Sequence, residues 1–246
     1  MPELRIPPRM LATLQQATRV AVITGAGMSA ESGVPTFRGA GGLWRSFRPE
    51  DLATPQAFAR DPQTVWAWYR WRQRLIAAAS PNAGHTALAA LQIARPGWRV
   101  LTQNVDGLHQ RAGNAAVLEL HGSIWRTRCA SCRRPGPINL ALDEDTAPLP
   151  RCACAALMRP DVVWFGEPLD ADVLATAWTI VENAEAVIVV GTSAVVYPVA
   201  ALPQAARARN VPLVEINVED TPLTGSVTHV VRATAATALP ALASQL

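Results

Sequence analysis

The stretch from Arg19 to Trp44, RVAVITGAGMSAESGVPTFRGAGGLW, restricts the possible folds of this 246-residue chain more than any other. Val20 to Ile23 is a short apolar run ending at Thr24. Gly25-Ala26-Gly27-Met28-Ser29-Ala30 then fits the G-x-G-x-x-G/A dinucleotide fingerprint, with Ala in the last place. Without a Cβ at Gly25 and Gly27, backbone N–H groups are expected to approach a phosphate. A helix starting near Ser29 would aim its positive end at a pyrophosphate. The plainer reading of the same residues is a tight strand-to-helix turn that needs glycine for its dihedrals. A dinucleotide fold usually places an acid about 20 residues farther on, at the end of a second strand. The chain there reads Arg45-Ser46-Phe47-Arg48-Pro49-Glu50, and no strand pattern surrounds Glu50 or Asp51. An ordinary dehydrogenase therefore fits poorly.

Farther along, apolar strands alternate with helices. Pro55 to Ala79 reads as one or two helices broken near Asp61-Pro62, and Asn82 to Ile93 as another. A strand over Trp98 to Thr102 delivers Gln103-Asn104-Val105-Asp106, and a strand over Val117 to Leu120 ends on His121-Gly122-Ser123. After a cysteine-bearing insert the alternation is expected to resume with Val162 to Phe165. A helix from about Ala171 to Glu182 follows, then a strand over Ala186 to Val190 ending on Gly191-Thr192-Ser193. The last part reads as a helix from about Val199 to Arg209, a strand over Pro212 to Ile216 ending on Asn217, and a short strand from His229 to Val231. Small or polar groups recur at the carboxyl ends of the strands, as where a doubly wound sheet gathers one ligand site from distant segments. The fold class predicted is α/β, a doubly wound, mostly parallel Rossmann-like sheet with a smaller inserted zinc-binding and helical domain. Its parts are a Rossmann-like domain over 1–46, 98–124 and 160–246, a helical insert over 47–97 and a zinc-binding insert over 125–159.

Half of the residues are apolar, enough to bury a full core. No apolar run approaches the ~20 residues of a membrane span, and MPELRIPPRM lacks the apolar core of a signal peptide. A cytoplasmic protein without membrane contact is expected. All 22 basic residues are Arg, and the net charge of +3 argues for nucleic acid only if it is concentrated in a patch. Cys129-x2-Cys132 and Cys152-x-Cys154 offer four thiolates for one tetrahedral, structural zinc ion; buried free thiols are the alternative. The second pair is tighter than the usual spacing. Arg126, Arg128, Arg133 and Arg134 beside the first pair raise a zinc ribbon gripping nucleic acid, but apart from Trp125 no aromatic residue is interleaved for base stacking, and a solvated face explains the arginines.

Three further side chains carry candidate chemistry. His121, at a strand end, suits a general base, or is a histidine bonded to backbone. Tyr69 and Arg72 project from one helix face, where a phenol and a guanidinium fork suit a carboxylate. In WAWYRWRQR the same pattern also describes core aromatics flanked by solvated arginines.

Together these motifs resemble the sirtuins, NAD-dependent protein deacylases. The resemblance runs from about Val20 to Leu239 through GAGMSAESGVPTFRG, PNAGHTAL, TQNVDGLH, LHGS, the four cysteines, RPDVVWFGE, GTS and EIN. GGLW, Asp51-Leu52-Ala53-Thr54 and Tyr69-x-x-Arg72 look like the class III branch, which removes succinyl and malonyl groups from lysine. The resemblance implies NAD contacts from Gly25, Ala26, Gly27, Ser29, Ala30, Phe37, Arg38, Trp44, Gln103, Asn104, Val105, Asp106, Gly191, Thr192, Ser193, Asn217 and Ala235. It implies His121 as general base with Asn104 in the catalytic set, and Cys129, Cys132, Cys152 and Cys154 as zinc ligands. Ala53, Tyr69 and Arg72 would take the acyl group, while Val163, Trp164, Phe165, Gly166 and Glu167 would pair with the substrate backbone as an added strand. In the family reaction the acyl oxygen attacks the ribose carbon bearing nicotinamide, nicotinamide leaves, and the histidine activates a ribose hydroxyl. Products are free lysine, nicotinamide and O-acyl-ADP-ribose. Partners expected are acylated-lysine proteins or peptides, with no membrane or nucleic acid, and the chain is expected to be a monomer. The competing functions are an NAD-dependent ADP-ribosyltransferase and a non-catalytic NAD-sensing or zinc-ribbon module.

Overall fold

Strand β1 (Val20–Thr24) is buried at every position, as is β7 (Ala186–Val190), because each lies inside a sheet covered on both faces. The computed structural model describes residues 4, 6–37, 42, 48–136 and 148–246. Arg38 and Trp44, assigned to the NAD loop by resemblance, lie outside the described residues. The remaining strands are β2 (Trp98–Thr102), β3 (Val117–Glu119), β4 (Gly122–Cys129), β5 (Pro135–Gly136), β6 (Met158–Val162), β8 (Leu213–Ile216) and β9 (His229–Val231). Six strands form one sheet in the order β3-β2-β1-β7-β8-β9, with every pairing parallel. The order steps outward from β1 in both directions, so the strand order reverses between β1 and β7. That is the switch point at which ligands enter doubly wound sheets.

The period-two pleat sorts the strand residues onto two cores. Val20, Val22 and Ile188 face Met10 and Leu14 of α1 (Pro8–Gln16), Leu88 and Leu91 of α5 (Ala83–Ala94), and Ala238 and Leu242 of α9 (Ala235–Ala243). Ala21, Ile23, Val187 and Val189 face Ala177 and Val181 of α7 (Ala171–Glu182) and Leu202 and Ala206 of α8 (Ala201–Ala208).

A third core joins α2 (Pro49–Leu52), α3 (Pro55–Arg60) and α4 (Pro62–Ala78) to a three-stranded sheet, β5-β4-β6, which is antiparallel. The helical stretch breaks where expected. Asp61 caps α4 by accepting the Thr64 N–H at 3.0 Å, and Pro62 occupies the first turn, where its missing N–H costs nothing. Trp66 and Gln73 pin α4 to the small sheet, donating to the carbonyls of Met158 (3.0 Å) and Ile124 (2.7 Å). Arg111, in α6 (Leu108–Arg111), closes the other end of α4 through the carbonyls of Ile76 and Ala79. Among the described residues no helix is long and apolar enough to cross a membrane.

Two expectations need correction. No α-helix starts near Ser29; the chain makes two short 3-10 turns, Ala26–Met28 and Ala30–Ser32, and Gly33 ends the second at φ 83°. Val162 to Phe165 does not resume the parallel sheet either. The strand is Met158–Val162, paired with β4, and the next three N–H groups turn away to the His121 carbonyl, the Glu167 carboxylate and the Ala53 carbonyl.

Candidate active site

A cavity of about 540 Å³ opens outside the carboxyl ends of β1, β2, β7 and β8, between the large sheet and the α4 layer. Its sheet side is a wall of small residues. Gly25, Ala26 and Gly27 line it with Gln103, Asn104, Val105, Gly191, Thr192, Ser193 and Asn217. The glycines act differently from the expectation. Gly25 N–H donates to the Val190 carbonyl at 3.0 Å and Gly27 N–H to the Gly191 carbonyl at 2.7 Å, so these donors join two turns. A Cβ on Gly27 would lie 2.8 Å from Gly191 Cα, too close for any real contact. Glycine is required here for backbone stacking on backbone. Side-chain amides then lock the wall: Gln103 donates to the Thr192 hydroxyl (2.9 Å), Asn217 to the Thr192 carbonyl (2.9 Å) and Asn104 to the Gly25 carbonyl (3.0 Å).

Four residues assigned to the cofactor by resemblance do not line this cavity: Ser29, Ala30, Asp106 and Ala235. Ser29 and Asp106 stand behind the wall. The Ser29 hydroxyl donates to Asp106 at 2.7 Å and lies 3.1 Å from the Asn104 amide. Burial pushes the Asp106 carboxyl up, against the lowering effect of the Leu108 N–H and the Ser29 hydroxyl. Ala30 is exposed, and Ala235 is packed in the core at the start of α9.

His121 sits where the large wall meets the small sheet. Its Nδ1 lies 3.1 Å from the Gln103 carbonyl, which can only accept, so Nδ1 carries the proton and Nε2 keeps its lone pair. Among the described residues no group bonds Nε2. Burial lowers the imidazole pKa below 6.5, with the carbonyl bond opposing, so the ring is a neutral base at pH 7.

The opposite wall is aromatic. Phe37, Ala53, Trp68, Tyr69, Arg72 and Trp164 line it. Arg72 is 7% exposed, and its guanidinium carbon lies 4.9 Å from the ring centres of both Phe37 and Trp68. Among the described residues no carboxylate pairs with it. Desolvation pulls its pKa down, with Tyr69 and the Asp106 carboxylate, beyond ion-pair distance, opposing the shift, and a buried cation facing a cavity is stabilised further by an anion placed there. Beside it, the Tyr69 hydroxyl accepts from Trp164 Nε1 at 2.8 Å.

The chain from Val163 to Glu167 forms the rim, and all five residues line the cavity. The N–H groups of Val163, Trp164 and Phe165 are already bonded within the chain. Among the described residues, the Val163 carbonyl and the Gly166 N–H are bonded to nothing. Glu167 is held by Arg159 at 2.5 and 2.9 Å and by Arg128 at 3.2 Å. Sequence reasoning missed Thr36, Trp68, Val196, Tyr197 and Val218 to Pro222, which also line the cavity. The last group directly follows Asn217 at the end of β8, so the strand-end rule carried a few residues farther would have reached it.

Away from the crevice, the four cysteine Sγ atoms lie within 4.8 Å of one another. Close pairs are Cys129 and Cys154 at 3.5 Å, and Cys132 with Cys152 and with Cys154 at 3.7 Å. Tetrahedral zinc with Zn–S of about 2.3 Å needs sulfur separations near ~3.8 Å, so the set fits one zinc ion despite the tight second pair. Burial would raise the Cys129 thiol, but N–H bonds from Cys132 and Ser131, with the neighbouring thiols, bring it down to about 6. The bonds among the sulfurs push that of Cys132 up to about 11, so metal binding would displace the protons that remain in the cluster.

The family model described as the Sir2 family matches residues 25–198. The NAD-dependent protein deacylase 2 of Pyrobaculum aerophilum is 49% identical over 233 residues, covering 95% of this chain and 93% of its own. The NAD-dependent protein deacylase of Mycobacterium tuberculosis is 49% identical over 234 residues, 93% of this chain and 98% of its own. Among solved structures, a Sir2 homologue mutant in complex with ADP-ribose superposes with a TM-score of 0.93 at 45% identity, covering 98% of this chain and 96% of that one. A Sir2 homologue–NAD complex gives 0.91 at 44% identity, with 98% and 94% covered, and a Sir2–p53 peptide–NAD+ complex gives 0.85 at 30%, with 98% and 97% covered.

Proposed function

This chain belongs to the Sir2 family, and on that premise we propose that it is an NAD-dependent protein lysine deacylase acting on both acetyl and acidic acyl groups, succinyl and malonyl among them. The observation that carries the acidic-acyl part is the buried Arg72 fork, which among the described residues has no carboxylate within ion-pair distance, Asp106 acting on it only from farther off, and which opens onto the same cavity as His121 and the glycine wall. A succinyl or malonyl carboxylate supplies the missing anion, through bidentate bonds that an acetyl group cannot make.

Bound NAD would supply the ribose carbon that receives the acyl oxygen as nicotinamide departs. Gly25, Ala26, Gly27, Gln103, Asn104, Thr192, Ser193 and Asn217 would hold it along the small-residue wall. His121 takes a proton at Nε2, with the Gln103 carbonyl fixing the other ring nitrogen as donor. The Val163 carbonyl and the Gly166 N–H offer the main-chain bonds by which a peptide would lie along the rim. The four cysteines would hold one structural zinc, since all four coordination positions are filled by protein.

The test is incubation with NAD and acetyl-, malonyl- or succinyl-lysine peptides. Nicotinamide and the matching O-acyl-ADP-ribose are expected, with acidic peptides turned over at least as efficiently as acetyl peptides. The chain contains no lysine, so every acyl group consumed comes from the peptide. Release of neither product sinks the deacylase reading. ADP-ribose left on protein replaces it with a transferase, and turnover of acetyl peptides alone removes the acidic-acyl part.

A further inference from the structure

We propose that Trp164 is a positioning residue for acyl selection: its indole N–H holds the Tyr69 phenol so that the phenolic proton points at the anion carried by the substrate. The inference rests on the acidic-acyl reading above.

Indole Nε1 can only donate, and here it donates to Tyr69 Oη at 2.8 Å. Both side chains are buried, at 3% and 1% exposure. With that lone pair engaged, the phenol has its own proton left to place. Among the described residues no group accepts it. Burial holds the phenol in its protonated, donor form, although nearby Arg72 pulls in the other direction. Arg72 lies beside it, 5.7 Å from the Tyr69 ring centre. Two donors, the phenolic O–H and the guanidinium, therefore border one cavity. A group with several acceptor oxygens and a negative charge satisfies both, and a methyl group satisfies neither.

Trp164 is held from several sides. The Arg159 guanidinium stacks 3.2 Å from the centre of its ring, Phe58 packs 5.3 Å away, and its main-chain N–H donates to Glu167 at 2.9 Å. Glu167 in turn accepts both Arg159 bonds. Arg159 belongs to β6, in the sheet whose end carries the cysteines. The orientation of the phenol is thus set from the small sheet through Arg159, Glu167 and Trp164.

A tryptophan in this place can also serve simply as volume, and Trp164→Phe separates the two roles by keeping an aromatic ring while removing the N–H. The measurement is a double-mutant cycle in steady-state kinetics, using acetyl- and succinyl-lysine peptides of one sequence. Trp164→Phe is expected to lower the succinyl-to-acetyl ratio of kcat/KM by about three- to tenfold, the worth of one neutral hydrogen bond, mainly through the succinyl KM. Losses common to both peptides cancel in the ratio. In a Tyr69→Phe background the same substitution should move the ratio less than about twofold, because nothing remains to be oriented. An unmoved ratio in the parent, or an equal fall in both backgrounds, overturns the inference. Tyr69→Phe alone must also lower the ratio; if it does not, the inference falls whether or not Trp164→Phe folds. Failure of the unsubstituted protein to turn over succinyl peptide removes the acidic-acyl reading itself, whereas succinyl turnover with an unmoved ratio removes the inference alone.

Discussion

The two walls of the crevice are built in opposite ways. On the sheet side, Gly25, Gly27, Gly191 and Thr192 bring main chain against main chain, and the surface offered to a ligand is mostly backbone and short polar groups. Its rigidity comes from the parallel ladders beneath it and from two aliphatic cores. On the α4 side the surface is made of Phe37, Trp68, Tyr69, Arg72 and Trp164, and its rigidity comes from side chains: stacked rings, the Arg159–Glu167–Arg128 ion network and the cysteine cluster. The contrast shows a division of labour. A wall made of backbone cannot accept one more carbon atom, so it suits a fixed partner. A wall made of side chains can be changed one residue at a time, so it suits the part of the substrate that varies.

The contrast can be broken at several points. The largest expected effect lies where the walls meet: His121→Ala should lower turnover by about 10²- to 10⁴-fold for every acyl group, with NAD affinity little changed. A fall confined to one acyl class, in a kinetic panel, would move His121 to the selective wall. Its lowered pKa also sets a sign, since the neutral ring is the base. The acid limb of kcat/KM should lie below pH 6.5, and a limb above 6.5 contradicts the assignment. Next comes metal removal. The cysteine end of the small sheet, where β5 is only two residues long, depends on the metal, so a strong chelator should loosen β4 to β6 and abolish acyl-peptide turnover, while helical circular dichroism and NAD binding persist. Loss of both together would show that the walls are not separately supported.

Gly27→Ala should be smaller. The added carbon at 2.8 Å from Gly191 Cα forces the turns apart, at a cost of about 1–3 kcal/mol in denaturant unfolding, with weakened NAD binding. Ala53→Gly, on the other wall, should leave NAD binding unchanged. A separate, pH-dependent effect concerns support behind the sheet wall. His109 lies 3.0 Å from the Thr24 hydroxyl and its ring centre is 4.9 Å from that of His85. Burial lowers these pKa values to about 3 and about 4. The unfolded chain then binds more protons below about pH 6.5, so stability is complete above 6.5 and declines as pH falls toward 4 and 3, by up to about 1 kcal/mol per pH unit for each histidine. A melting temperature that stays flat between pH 6.5 and 5, above most carboxylate titration, would contradict this.

The same contrast explains what the sequence made legible. β1 and β7 could be read because an unbroken apolar run has few other solutions in a chain of this length, and α4 because Asp61-Pro62 both caps and interrupts. The cysteine pairs were legible from spacing alone. The use of the glycine N–H groups was not, since their partners, Val190 and Gly191, lie more than 160 residues away and the local motif does not encode them. Val163 to Phe165 looked like a strand because they are apolar, whereas their N–H groups answer to His121, Glu167 and Ala53. Helix α9 carries Pro240 inside it, which hides its pattern. The Tyr69-x-x-Arg72 spacing placed both side chains on one face, but only the packing shows that the face is buried and opens on a cavity.

The most direct test of the account is the succinyl-to-acetyl ratio of kcat/KM for Arg72→Met set against that of the unsubstituted protein. Replacing a fork that makes charge-assisted bonds should lower the ratio by at least about tenfold, through loss of succinyl turnover. An equal loss on both peptides, or an unchanged ratio, would show that Arg72 is part of the packing and not the partner of an acyl carboxylate.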